Sequence, residues 1–194
     1  LERKLTNLMP FRQGLERALL AKADEVAVFA SASESFSQKN INCSIAESLD
    51  RFRPVLTRAT AEGIPVRGYV SCVTDCPYEG PIAPGAVAKV AQALHQMGCH
   101  QISLGDTIGH GTPDTIGRML DAVLSVLPTD KLAGHYHDTR GTALRNIATS
   151  LDKGLRIFDA SVGGLGGCPY APGAKGNVAT EAVAAFLHAQ GLAT

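Results

Sequence analysis

Two imidazoles stand two residues apart in His135-Tyr136-His137. Alternate side chains of an extended strand project to the same side, so both rings can reach one ion. Two neutral nitrogen donors supplemented by oxygen ligands suit a divalent metal acting as a Lewis acid. A hydrogen-bonded histidine pair at a strand end would leave the same trace, and the spacing alone does not separate the two readings. A second signal is Gly163-Gly164-Leu165-Gly166-Gly167-Cys168-Pro169-Tyr170. Gly163, Gly164, Gly166 and Gly167 let a loop approach a ligand closely or swing over a site. Cys168 within such a loop could deliver or remove a proton; otherwise it is an idle thiol on a flexible connection.

Other candidates are more ambiguous. Asn177, just after Gly176, either caps the final helix or offers its amide oxygen to a metal. Asp106 could bind the metal, orient a ligand or satisfy nearby backbone N–H groups. His110 sits in the turn Gly109–Gly111, close to the presumed site, whereas His95, His100 and His188 lie in or beside helices and read as surface residues. Cys72 and Cys76 are too widely spaced for a C-x-x-C redox pair, and no second pair completes a zinc site. They read as partly buried thiols beside a loop.

These residues need strands and helices to position them, and the chain alternates the two. From Asp24 onward a short β-branched run, a loop and a longer helical stretch recur. Strands are expected at 26–30, 64–70, 102–104, 132–136 and 156–160, with Ser31–Ser35 as a polar turn and Ser71–Pro84 as a loop. Helices are expected at 44–62, where Ile45, Leu49, Phe52 and Leu56 recur at helical spacing, and at 87–97, 113–127, 142–153 and 178–189. Gly63, Gly98 and Gly154 end three of these as C-cap residues, and Pro113 opens another. Leu5–Met9 reads as the end of an earlier strand, with 14–22 as its helix. Strands without clear alternation, separated by helices, imply a parallel sheet covered by helices. An eight-stranded barrel and an open doubly wound sheet both fit. No G-x-G-x-x-G follows the first strand, which weighs against a dinucleotide site. In a barrel, Asp106, His135, His137 and Cys168 all fall at or after strand ends, on the face where active sites gather.

The bulk composition is that of an ordinary globular domain: 45% hydrophobic and 19% charged residues. Eighteen basic residues balance eighteen acidic ones, so charge gives no reason to expect nucleic acid or an anionic membrane as partner. No apolar run approaches a membrane span. No apolar stretch follows the charges of Leu1-Glu2-Arg3-Lys4, which argues against a signal peptide. The five cysteines, Cys43, Cys72, Cys76, Cys99 and Cys168, read as reduced thiols of a cytoplasmic protein.

Five segments together resemble the 3-hydroxy-3-methylglutaryl-CoA (HMG-CoA) lyase family: SASESFSQKNINCSIAES at 31–48, VRGYVSCVTDCPYEG at 66–80, ISLGDTIGHGTP at 102–113, GHYHDTRG at 134–141 and SVGGLGGCPYAPGAKGNVATE at 161–181. They run in family order, and the last is the most specific, because related metal-dependent aldolases share H-x-H but lack the cysteine loop. The resemblance implies a TIM-type (β/α)8 barrel and a divalent cation, Mg2+ or Mn2+. It also implies cleavage of HMG-CoA to acetyl-CoA and acetoacetate, as in leucine degradation and ketone-body metabolism. At matching positions His135, His137 and Asn177 are expected to hold the metal. Cys168 is expected to act as the mobile-loop acid or base, Asp106 as an active-site carboxylate, and His135 as a shuttle for the hydroxyl proton. Glu181 and Thr107 are weaker candidates near the same site.

The family pattern begins with an Arg-Asp pair on its first strand, and none precedes Leu5. The expectation is therefore one partial barrel domain over 1–194, lacking the first two strands and a C-terminal portion, with little activity by itself. An acyl-CoA is the expected partner, with a homodimer compatible. Two other classes fit less of the pattern: a metal-dependent aldolase or synthase acting on a 2-oxo acid, and a noncatalytic acyl-CoA-binding protein.

Overall fold

The computed structural model describes residues 6–8, 12–167 and 176–193. In chain order the elements are β1 (Thr6–Leu8), α1 (Arg12–Leu20), β2 (Glu25–Ser31), α2 (Glu34–Ile41), α3 (Ile45–Ala61), β3 (Val66–Ser71), β4 (Asp75–Cys76), β5 (Gly80–Pro81), α4 (Pro84–Gln96), β6 (Gln101–Asp106), α5 (Pro113–Leu124), β7 (Leu132–Tyr136), α6 (Ala143–Asp152), β8 (Phe158–Asp159) and α7 (Thr180–Ala189). Six strands form one parallel sheet in the order β1-β2-β3-β6-β7-β8, and β4 and β5 make a separate small antiparallel hairpin.

That order decides between the two architectures. Each main strand pairs with the next one in sequence and the direction never reverses, which is how a barrel wall is laid down; a doubly wound sheet reverses at its switch point. The described strands form part of such a barrel. One face of the sheet is apolar. Val26, Val28, Val66, Val70, Ile102, Leu104 and Leu132 are at most 2% exposed and share a core with Leu94, Ile116, Leu120 and Ile147 of the covering helices. Each such side chain contributes about 1.5–3 kcal/mol by leaving water. The alternate residues form the other face, and they include Glu25, Phe29, Arg67, Tyr69, Ser103, His135 and Asp159.

The helices begin where the sequence signals them. Ser44 caps α3 with a complete capping box: its Oγ accepts from Glu47 N at 3.1 Å, and Glu47 Oε2 accepts from Ser44 N at 2.8 Å. Thr112 and Pro113 open α5 in similar fashion. Three short features depart from the pattern. The expected turn at 31–35 contains the start of α2, an eight-residue helix capped by Ser33, whose Oγ accepts from Phe36 N. Its one large buried residue, Phe36, packs on Cys72 and Cys76, and a single anchor leaves no readable period. The expected loop 71–84 contains the β4–β5 hairpin, two residues per strand and too short to show alternation. The last strand pairs only over Phe158–Asp159, and α7 starts at Thr180 because 177–179 is extended, with Val178 N donating to Tyr136 O and Ser161 N to Val178 O. Among the described residues no helix is long and apolar enough to cross a membrane.

Replacing Ser44 by Ala removes one half of the α3 box and leaves the Glu47 N–H without its side-chain acceptor. The expected cost is about 1 kcal/mol, read as a lower urea midpoint with an unchanged slope.

Candidate functional site

His135 is the second-last residue of β7 and His137 lies just past its end, so the pleat sends both rings to the same side. Their centroids are 5.4 Å apart. With Phe29, Tyr69, Val70, Ser71, Gly105 and Thr107 they line a cavity of about 120 Å³ at the C-terminal ends of β2, β3, β6 and β7.

The two histidines sit in different environments. His137 is 8% exposed. Burial pushes its pKa down to about 4 and the neighbouring His135 adds to the fall, while the Thr107 main chain and the Asn177 side chain oppose it. The ring is therefore neutral at physiological pH. Neither of those neighbours gives Nδ1 a hydrogen bond, and this buried nitrogen has no partner among the described residues. His135 is more open and its Nδ1 lies 3.2 Å from Asp159 Oδ2. The edge of its ring meets the Tyr69 ring at 6.0 Å, and Tyr69 in turn stacks on Phe29 at 4.6 Å.

Asn177 faces His137 across an isolated antiparallel bridge. Its Nδ2 donates to Leu165 O at 3.0 Å and Gly166 O at 3.3 Å. Those two bonds occupy the amide nitrogen, so Oδ1 is the atom of this side chain that a metal could use. Together the three side chains offer two ring nitrogens and one amide oxygen, a set that fits a divalent cation, and the unpartnered His137 nitrogen is the buried atom such an ion would satisfy. Among the described residues no third His, Cys, Asp or Glu joins the pair.

The glycine loop is pinned at both stems. Glu181, in the first turn of α7, accepts from Gly163 N at 3.0 Å, so it anchors the start of the loop. At the far stem, Asn177 N donates to Gly166 O and Asp138 N to Gly176 O. Gly176 has φ +78°, and a Cβ there would meet Gly166 O at 2.0 Å, so this crossing admits only glycine. Gly163, Gly164, Gly166 and Gly167 all belong to this first stem; Cys168 lies outside the described residues.

Asp106 satisfies nearby backbone N–H groups. It is fully buried, accepting from Gly111 N at 2.9 Å, His110 N at 3.2 Å and Thr74 Oγ1 at 3.1 Å. Its carboxylate thus shapes the 106–111 turn, and a Cβ on Gly111 would lie 2.7 Å from Oδ2. Thr107 closes the cavity floor: its Oγ1 accepts from Cys72 N at 2.8 Å. His110 joins the turn through its backbone. Cys72 and Cys76 are fully rather than partly buried, burial pushes the Cys72 thiol up, and Ser33 Oγ donates to Cys76 Sγ at 3.0 Å. His100, expected at the surface, is half-exposed and contacts buried Glu25 Oε1 at 2.7 Å.

The residues beneath the histidines escape a reading of strand ends. Asp159 Oδ2 accepts from Ser103 Oγ at 2.7 Å as well as facing His135, and its Oδ1 lies 2.8 Å from Arg67 Nη2. That ion pair is close but off the N–H axis, so Nη2 and Nε of Arg67 make no hydrogen bond, while Nη1 donates to Tyr69 Oη at 3.2 Å. Burial alone would raise Asp159, but His135, Arg67 and Ser103 outweigh it and hold the carboxyl below its usual range. The available signal was a charged residue inside an apolar strand, as at Arg67 and Asp159.

The pattern of the HMGL-like family matches residues 4–194. The hydroxymethylglutaryl-CoA lyase of Pseudomonas mevalonii is 57% identical over 189 residues, 97% of this chain and 63% of that protein. The HMG-CoA lyase structure from Brucella melitensis superposes with a TM-score of 0.97 at 61% identity, covering 98% of this chain and 68% of that one. An HMG-CoA lyase from Acinetobacter baumannii, in complex with coenzyme A and 3-methylmalate, gives 0.91 at 34% identity over 97% of this chain and 62% of that one. The chain thus spans less than two thirds of the length of its Pseudomonas relative.

Burial of Asp106 raises its pKa above the usual 3.8 despite three hydrogen bonds that lower it. A folded value above the unfolded one favours the folded state at low pH, and that advantage is lost as pH climbs from 3.8 through the raised value. Asp106→Asn removes this titration. The wild-type minus variant difference in unfolding free energy should therefore fall across that window and then level off. A flat difference between about pH 3.5 and 7 would contradict the assignment.

Proposed function

The chain belongs to the HMGL-like family, and from that premise we propose that the protein carrying it cleaves HMG-CoA to acetyl-CoA and acetoacetate with the help of a divalent cation. The observation that carries the proposal is the His135–His137 pair, with Asn177 facing it and a buried His137 nitrogen left unpartnered. The coenzyme A held by the Acinetobacter relative supports an acyl-CoA as partner. Four buried free cysteines suit a reducing compartment such as the cytoplasm.

His135, His137 and Asn177 Oδ1 would hold the cation, of the Mg2+ or Mn2+ kind. When bound, that ion supplies Lewis acidity to the tertiary alcohol and free carboxylate of the substrate. The protein's own groups do the rest. Burial keeps His137 neutral, so its lone pair is available without loss of a proton. Asn177 couples the site to the glycine loop, because the amide that faces His137 also holds the Leu165 and Gly166 carbonyls. The Cys168 sulfur, as thiolate, would first take the alcohol proton, and the adjacent C–C bond then breaks. The alcohol carbon becomes the ketone of acetoacetate, and the bonding pair passes to the acetyl-CoA enolate. The Cys168 thiol then returns a proton to the enolate carbon. A loop folded over the site excludes water at that moment and protects the enolate from stray protons.

The complete protein, incubated with HMG-CoA and Mg2+ or Mn2+, should release acetoacetate, and chelation should abolish the release. Cys168→Ser is expected to lower turnover roughly 10²–10⁴-fold while leaving Mn2+ affinity unchanged. Full turnover in that variant, or cleavage indifferent to chelator, would sink the proposal.

A further inference from the structure

A histidine can give a metal only one ring nitrogen, and whichever nitrogen carries the proton is lost to it. His135 is open enough to reorient and its strand does not choose between the two tautomers. Its nearest polar neighbour does. Asp159 Oδ2 lies 3.2 Å from Nδ1, and the partner strand β8 holds Asp159 directly across from His135 in register. An ionised carboxylate only accepts, so the nitrogen facing it must carry the proton.

The carboxylate has little freedom of its own. Ser103 Oγ, fully buried, donates to the same Oδ2 at 2.7 Å, and Arg67 Nη2 stands 2.8 Å from the other oxygen. The Arg67 and Asp159 side chains are 12% and 18% exposed, so both charges are largely removed from water and depend on each other. Tyr69 closes the arrangement: it accepts from Arg67 Nη1, lies 5.2 Å under the guanidinium carbon, and presents its ring to the edge of His135. Three strands, β3, β6 and β8, therefore converge on one oxygen pair whose outward contact is the His135 ring.

We propose that Asp159 is the positioning residue for His135: braced by Arg67 and Ser103, it holds the ring as the Nδ1–H tautomer and reserves Nε2 for a divalent cation. This rests on the metal reading of the preceding section. Partners of this kind raise the basicity of a ligating imidazole and fix its direction, and their loss typically lowers metal affinity about 10–100-fold.

The test uses the complete protein labelled with 15N-histidine and long-range 1H–15N spectra, which report each ring's tautomer, together with Mn2+ titration followed by electron paramagnetic resonance. Wild-type His135 should show Nδ1–H. Asp159→Asn, which keeps size and shape, should mix the tautomers and weaken Mn2+ binding about 10–100-fold. Ser103→Ala leaves the His135 contact in place and should keep the tautomer. An Nε2–H tautomer in the wild type, or an unchanged Mn2+ affinity in folded Asp159→Asn, overturns the proposal. Should Asp159→Asn fail to fold, the wild-type tautomer still decides. A wild-type protein that binds no Mn2+ would instead overturn the metal reading, with the tautomer spectrum still ruling on Asp159.

Discussion

The floor beneath His135 stands on one ion pair, Arg67 with Asp159, on the inner face of the sheet. A charge taken from water must be matched or it is costly, and removing one partner of such a pair typically costs about 3–5 kcal/mol because the other is left stranded. Here the match is made between β3 and β8, strands separated in the sheet by β6 and β7. Two side chains reaching across two intervening strands can meet only if the sheet curves toward them. The pair therefore depends on barrel curvature, and it helps to hold that curvature. Ser103 on β6 and His135 on β7 fill the span between, each bound to the same carboxylate.

Above this braced layer the structure changes character. The glycine stems at 163–167 and 176–177 are held by backbone bonds, one carboxylate and one amide, with no large buried side chain among them. Val162 and Leu165 are about two-thirds and 71% exposed. Segments with few buried apolar contacts open at low cost. Asn177 joins these stems to the end of β7, where the histidines lie.

Much of this could be read from residue order alone. The β/α alternation, the capping of α3 by Ser44, the opening of α5 at Pro113 and the shared side of His135 and His137 all follow from local rules, because period, caps and pleat are properties of neighbouring residues. The same rules left barrel and open sheet undecided, since strand order is a fact of pairing at a distance. They also passed over Arg67, Ser103 and Asp159. No two of these are near in sequence, and each is unremarkable until register sets it opposite the others. The burial of Asp106 was equally out of reach: Gly111, by lacking a Cβ, lets the backbone close over the carboxylate. Short elements such as α2 and the β4–β5 hairpin failed for another reason: one anchor or two residues cannot display a period.

As metal ligands, in the reading proposed above, the two histidines would solve a single problem by opposite means. A ligand imidazole needs an unprotonated nitrogen at neutral pH. For His137 the protein withdraws solvent: burial penalises the imidazolium, the adjacent ring adds repulsion, and Nδ1 is left without a competing donor. Burying both rings that way would leave two polar groups unsatisfied whenever no ion is bound, each at a cost of about 1–3 kcal/mol. At His135 a carboxylate occupies one nitrogen instead, so the ring stays satisfied with or without a ligand and need not be fully buried. Dividing the task confines the unsatisfied nitrogen to one ring. It also explains why the pair can share a cavity while only one of them reaches down to the Arg67–Asp159 layer.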